Sequence, residues 1–162
     1  MGTASSGEIK IVPAREEDGK EIYRIGTLCF SDAWRKETVE KDMAAPHSLY
    51  LTARRGDTVL GYACYWFVAD EAQLVNIGVL PEARRQGLAE ALLTAGLAAA
   101  EERHMASMYL EVRLSNLAAQ GLYRKHGFHV LTVRKGVYDL PREDGYIMSR
   151  PIGAVSKDFP HR

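Results

Sequence analysis

The sequence predicts an α+β fold, in which a mixed, mostly antiparallel sheet of about seven strands is flanked by about four helices. Three observations carry that reading. Two strand–turn–helix units follow one another in the second half of the chain. Two alternating segments meet at Arg55-Gly56-Asp57, a hairpin signature. Two further strand-like segments close the chain with no helical pattern between them. At 162 residues the chain is long enough to bury a real core as a single domain, expected over 8–152, with flexible termini at 1–7 and 153–162.

Residues 8–13 form the first strand. Residues 15–29 read as a helix with acidic residues in its first turn and Ile22, Ile25 and Leu28 turned inward. A second short helix over 36–45 stops near Pro46. Residues 49–54 and 58–67 make the hairpin. The apolar run over 72–81 is a strand, and Arg84-Arg85-Gln86-Gly87 is a tight turn. A helix then opens at Leu88-Ala89-Glu90, with Leu88, Leu92 and Leu93 inward. Residues 109–114 alternate as a strand, Ser115-Asn116 caps a short helix over 117–126, and Gly127 stops it before Phe128 begins another strand. The last two strands, 128–137 and 146–152, flank a loop over 138–145.

Composition removes several function classes. Lys plus Arg and Asp plus Glu both number 21, so the formal charge is zero, and the isoelectric point is about 7.0. No basic excess points to nucleic acid, and no acidic tail to a histone-like partner. No segment is apolar enough to span a membrane, and the start lacks the apolar core of a signal peptide. The opening Met1-Gly2-Thr3-Ala4-Ser5-Ser6 fits a loose myristoylation pattern but reads as a flexible leader. Cys29 and Cys64 lie among apolar residues and read as buried free thiols of a reducing cytoplasm, rather than as a disulfide or a nucleophile. The five histidines, His47, His104, His126, His129 and His161, lack metal-ligand spacing, so no metal is expected.

The turn over 84–87 carries the chemistry. A glycine turn at a helix start leaves unpaired amides aimed at one spot, the helix dipole adds positive charge, and Arg84 and Arg85 add more. That combination reads as a pyrophosphate site; an ordinary basic helix start is the alternative. It matches neither the Walker loop nor the Gly-x-Gly-x-x-Gly fingerprint.

It does resemble the acetyl-CoA motif of the GCN5-related N-acetyltransferase (GNAT) superfamily, Gln/Arg-x-x-Gly-x-Gly/Ala, through Arg84, Gly87 and Ala89. Asn116, Ala119, Leu122, Tyr123, Gly127 and Phe128 fit a second motif of that superfamily, in the right order and one strand–helix unit downstream. Within the superfamily the chain is most similar to the ribosomal-protein-alanine N-acetyltransferases (RimI-like). The shared text includes Asn76-Ile77-Gly78-Val79, Arg85-Gln86-Gly87-Leu88, Leu110-Glu111-Val112-Arg113 and Arg142-Glu143-Asp144-Gly145-Tyr146-Ile147-Met148.

The resemblance implies a sheet splayed at a central bulge, and acetyl-CoA as co-substrate. It implies a cofactor contact set of Ile77, Gly78, Val79, Arg84, Arg85, Gln86, Gly87, Leu88, Ala89, Glu90 and Asn116. Gly78 reads either as that bulge or as a point of close packing against a helix. Asn116 reads as a helix cap, or as a cap that also bonds the pantetheine arm.

Acyl transfer to an amine needs a neutral amine and a proton donor for the leaving sulfur. Glu111 takes the role of general base; the alternative is a surface carboxylate paired with Arg113 or Arg134. Tyr123 takes the role of general acid; the alternative is a core tyrosine. Tyr138, in the loop before the last strand, is the expected acceptor contact.

The resemblance further implies a protein or peptide N-terminus as acceptor, and a monomer or weak dimer. The sequence departs from the family at Ala89-Glu90, where a basic residue is common, and at Cys29-Phe30-Ser31-Asp32-Ala33-Trp34 and Gly136-Val137-Tyr138 on the acceptor side. Acetylation of lysine or of small amines, and an acyl-CoA-binding module without catalysis, stay open as other readings.

Overall fold

A computed structural model describes residues 7–153. Of the expected termini, residues 1–6, with their pattern, and 154–162, with His161, lie outside them. Contacts divide the described chain into two compact units. One takes the described residues up to Trp66 together with Asn76–Gly96. The other takes Phe67–Val75 together with the described residues from Leu97 onward.

The described strands are β1 (Ile9–Pro13), β2 (Ser48–Arg55), β3 (Thr58–Val68), β4 (Glu71–Val79), β5 (Ser107–Arg113), β6 (His129–Asp139) and β7 (Arg142–Pro151). Their order in the sheet is β1-β2-β3-β4-β5-β7-β6. β1–β2, β2–β3, β5–β7 and β6–β7 pair antiparallel. β4 and β5 pair in parallel, through Glu71–Leu74 against Ser107–Leu110. The four α-helices are α1 (Gly19–Cys29), α2 (Lys36–Met43), α3 (Leu88–Glu102) and α4 (Leu117–Lys125). Fold class and element order therefore match the sequence reading. None of the described helices is long and apolar enough to cross a membrane.

In the first unit, α1 is preceded by a 3-10 turn, Glu16–Asp18, rather than starting at residue 15. Ile22, Ile25 and Gly26 are buried, but Leu28 is 52% exposed, against expectation. At about 100° per residue Leu28 lies roughly 120° from Ile22, off the stripe that Ile22, Ile25 and Cys29 share. Asp18 closes the 3-10 turn ahead of α1: its Oδ2 accepts from the Arg15 amide at 2.7 Å and its Oδ1 from Arg54 Nη2 at 2.7 Å. Helix α2 buries only Val39, and an isolated helix of this length does not hold in water. Its anchor is Asp42. This carboxylate accepts from Ser48 Oγ (3.1 Å), Tyr50 OH (2.6 Å), Cys64 Sγ (3.5 Å) and Trp66 Nε1 (3.1 Å), which ties the helix to β2 and β3.

Helix α3 rides over Tyr65, which is fully buried and donates to the Leu92 carbonyl at 2.8 Å. Gly96 permits this approach, because a Cβ there would stand 2.0 Å from the Tyr65 ring.

In the second unit, β5 alternates strictly. Met108, Leu110 and Val112 are buried, while Tyr109, Glu111 and Arg113 share the other face. Helix α4 ends as the sequence indicates. Gly127 has φ of 91°, its amide donates to Arg124 O, and the Phe128 amide donates to Tyr123 O, both at 3.0 Å.

The expected loop over 138–145 is corrected. β6 continues to Asp139 and β7 begins at Arg142, so Tyr138 lies in a strand paired with Glu143. Gly136 explains why the ladder resumes. It takes φ of 60°, and its amide donates to Asp144 Oδ1 at 2.7 Å. Lys135, Gly136 and Val137 thereby bulge opposite Asp144 alone. Arg113 then clamps the hairpin: Nη1 donates to Pro141 O (2.9 Å) and Glu143 Oε1 (3.1 Å), and Nη2 to Leu140 O (3.2 Å). Glu143 Oε2 accepts from the Ser115 amide at 2.7 Å.

Two outcomes follow. Gly96→Ala gains about 1 kcal/mol of helix propensity but drives a methyl into Tyr65, so urea unfolding shows a net loss of about 2 kcal/mol or more. The hydrogen bonds from Ser115, then those from Arg113, hold the Glu143 carboxyl below its ordinary value. A lowered carboxyl contributes stability above its unfolded pKa and loses it as pH falls through the folded one. The Ser115 amide resonance, followed by NMR, therefore stays constant through neutral pH. It moves only in acid, below the usual glutamate value near 4.3.

Candidate functional site

The residues singled out from the sequence fall into two groups, one in each unit. Ile77, Gly78, Val79 and Arg84 through Glu90 belong to the first unit, and Glu111, Asn116, Tyr123 and Tyr138 to the second.

In the first unit, β4 ends at Val79 and a 3-10 turn, Pro81–Ala83, leads to the arginine turn. Arg85 takes φ of 66° and Gly87 φ of 76°, both left-handed. A non-glycine residue in that region costs energy and is characteristic of loops that present backbone amides to an anion. A Cβ at Gly87 would meet nothing within 4 Å, so the turn is open on that side. Helix α3 starts at once, with the Ala91 amide bonded to Gly87 O at 3.0 Å. Leu88 is buried, Ala89 and Glu90 are half-buried, and Arg85 and Gln86 are exposed. An exposed turn with two left-handed residues at the start of a 15-residue helix fits a diphosphate.

Arg84 is used differently from its neighbour. Its Nε donates to Val79 O at 3.0 Å and its Nη2 lies 3.6 Å from Cys29 Sγ, so the guanidinium braces the end of β4. Cys29 also donates to Val79 O at 3.4 Å. Both cysteines are free thiols; Cys64 is buried, but Cys29 is only half-buried. Gly78 is buried against the end of α1, where a Cβ would stand 3.2 Å from Cys29 Sγ and 3.5 Å from Phe30 Cζ. That is the close-packing reading of this glycine.

In the second unit, Asn116 caps α4, its Oδ1 accepting from the Ala119 amide at 3.2 Å. Tyr123 is 5% exposed and packs edge-on against Phe128, with ring centroids 5.9 Å apart. Burial pushes its phenol pKa up, and the nearby Tyr138 adds to the rise, so the hydroxyl stays protonated. Glu111 is half-buried, and its Oε2 accepts from Arg134 Nη1 at 2.5 Å. That pairing is the ion pair with Arg134 that the sequence also allows for this carboxylate.

Tyr138 is confined by two neighbours. The Arg113 guanidinium carbon lies 4.4 Å above its ring centroid. On Gly145, a Cβ would stand 2.8 Å from Tyr138 Cε2. The sequence offers Arg113 only as an ion-pair partner for Glu111, whereas it pairs with Glu143, and it gives Gly145 no role. The available signals were the spacing of Arg113, two residues after Glu111 on the same strand face, and a glycine inside a strand.

Comparison with known proteins shows the family. Residues 19–128 match the model of the Acetyltransferase (GNAT) family. The Ribosomal protein bS18-alanine N-acetyltransferase of Escherichia coli K12 is 35% identical over 154 residues, covering 94% of this chain and 99% of that protein. The N-alpha-acetyltransferase RimI of Mycobacterium tuberculosis is 34% identical over 160 residues, covering 95% and 99%. The crystal structure of the ribosomal-protein-S18-alanine N-acetyltransferase from Escherichia coli superposes with a TM-score of 0.84 and 33% identity, over 90% of this chain and 95% of that one. The chain therefore belongs to the GNAT acetyltransferase family, and it is a RimI-like N-acetyltransferase.

Proposed function

We propose that this enzyme moves an acetyl group from acetyl-CoA to the α-amine of a protein N-terminus, of alanine type and on a ribosomal protein. The observations that carry the reading lie within the second unit. Tyr123, kept protonated, lies near Tyr138, and Glu111 and Arg113 share one strand face. Relatives at this identity over nearly the whole chain, named for ribosomal alanine acetylation, support the acceptor class.

Acetyl-CoA supplies an acetyl thioester when bound. Arg85, Gln86 and Gly87, with the first turn of α3 through Leu88, Ala89 and Glu90, hold its diphosphate. Arg84 acts by bracing Val79, and the backbone of Ile77, Gly78 and Val79 aligns the pantetheine arm, with Asn116 as a further contact.

An ammonium has no lone pair, so the acceptor must lose a proton before its nitrogen attacks. An α-amine has a reference pKa near 7.7–8.0, against about 10.4 for lysine, and needs only a weak base. Glu111 takes that proton, directly or through a water, while Arg134 on Oε2 fixes the direction of the carboxylate. The Tyr123 hydroxyl gives its proton to the departing sulfur. Because burial disfavours the phenolate, the enzyme holds Tyr123 charged only until it is reprotonated.

Thiol release with an alanine-initiated peptide tests these roles. Glu111→Gln lowers turnover about a hundredfold at neutral pH, and less at high pH, where the amine is already neutral. Wild-type turnover in this variant at neutral pH removes Glu111 from the base role. Tyr123→Phe lowers kcat about tenfold to a hundredfold and leaves the KM for acetyl-CoA within about twofold. Loss of acetyl-CoA affinity instead would make Tyr123 a packing residue.

A further inference from the structure

We propose that Arg113 and Gly145 are specificity-determining positioning residues, which seat the ring of Tyr138 as a fixed wall restricting the acceptor's first side chain to small size. The proposal rests on the reading of Tyr138 as the acceptor contact and adds what holds it there. An aromatic ring on the surface of a hairpin ordinarily swings between rotamers. Here two neighbours confine it. Arg113 covers the ring at 4.4 Å, and the ring's Cε2 edge lies where only a glycine fits, since a Cβ at Gly145 would stand 2.8 Å from it.

Arg113 is itself immobilised. Its fork binds Pro141 O, Leu140 O and Glu143 Oε1, and Glu143 in turn accepts from the Ser115 amide. One residue therefore fixes both the ring and the turn of the hairpin that carries it. Lysine cannot replace it, since a single ammonium on a flexible stem neither stacks in the same plane nor forks to three acceptors. A wall that cannot retreat penalises every added carbon of a bulkier first residue. A mobile one would accommodate it.

The test compares kcat/KM for two peptides differing only in their first residue, alanine or leucine. Wild type is set against Tyr138→Ala and against Arg113→Gln, Arg113→Lys and Gly145→Ala, each of these three also combined with Tyr138→Ala. Arg113→Gln and Gly145→Ala lower the alanine-to-leucine ratio about fivefold to tenfold, as expected for losing one stacked contact. The KM for acetyl-CoA and the thermal midpoint show that each variant is folded. Arg113→Lys fails to restore the ratio and serves in place of Arg113→Gln should that variant not fold. Neither change has a further effect once Tyr138 is alanine.

If Tyr138→Ala lowers the ratio while the Arg113 and Gly145 variants leave it at the wild-type value, the seat is overturned and the acceptor reading stands. If Tyr138→Ala itself leaves the ratio unchanged, the acceptor reading fails and the seat falls with it. An equal fall in kcat/KM for both peptides would make Arg113 and Gly145 structural only.

Discussion

The alternation of β5 is the constraint on which the second unit depends. Met108, Leu110 and Val112 must face the core, so Tyr109, Glu111 and Arg113 are delivered together to the other face. Each then finds a different partner. Tyr109 donates to Gln73 on β4, Glu111 receives Arg134 from β6, and Arg113 grips the turn between β6 and β7. A one-residue slip of this strand would exchange the two sets, burying the ionisable groups and dispersing the cluster. The hydrophobic pattern thus fixes the direction of the polar chemistry.

The first unit is governed by close approach. Glycine stands where a side chain would crowd its neighbours: Gly96 against Tyr65 and, less tightly, Gly78 against Cys29. These contacts fix the end of β4 and the path of α3. The strained turn between them, with Arg85 and Gly87 left-handed, is held by packing on either side. Asp42 does for α2 what an apolar face does for longer helices, by collecting hydroxyl, indole and thiol donors from β2 and β3.

Much of this was legible in the sequence. The strand–turn–helix units announced themselves through Gly87, Asn116 and Gly127, because caps and left-handed turns demand particular residues. The final hairpin was less legible. Gly136, Pro141 and Gly145 are breakers by composition, yet one absorbs a bulge, one sits at the turn and one makes room for a ring. Their roles depend on what lies opposite them, which is long-range information. The error at Leu28 had a local cause, since a hydrophobic residue three positions after another need not share the same stripe. The partners of Glu111 and Arg113 were also hidden. Arg134 was named among the alternatives for Glu111, but only the pairing of β6 with β7 and of β7 with β5 brings it within reach.

The central claim concerns which nitrogen is acetylated. A single peptide that begins with alanine and carries one internal lysine, incubated with enzyme and acetyl-CoA, sets the two amines in direct competition. Fragment-ion mass spectrometry of the product then locates the added acetyl group. The account predicts a single acetyl on the N-terminal alanine, with the lysine unmodified. Acetyl on the lysine, with the α-amine left free, would contradict it and assign the enzyme to side-chain amines.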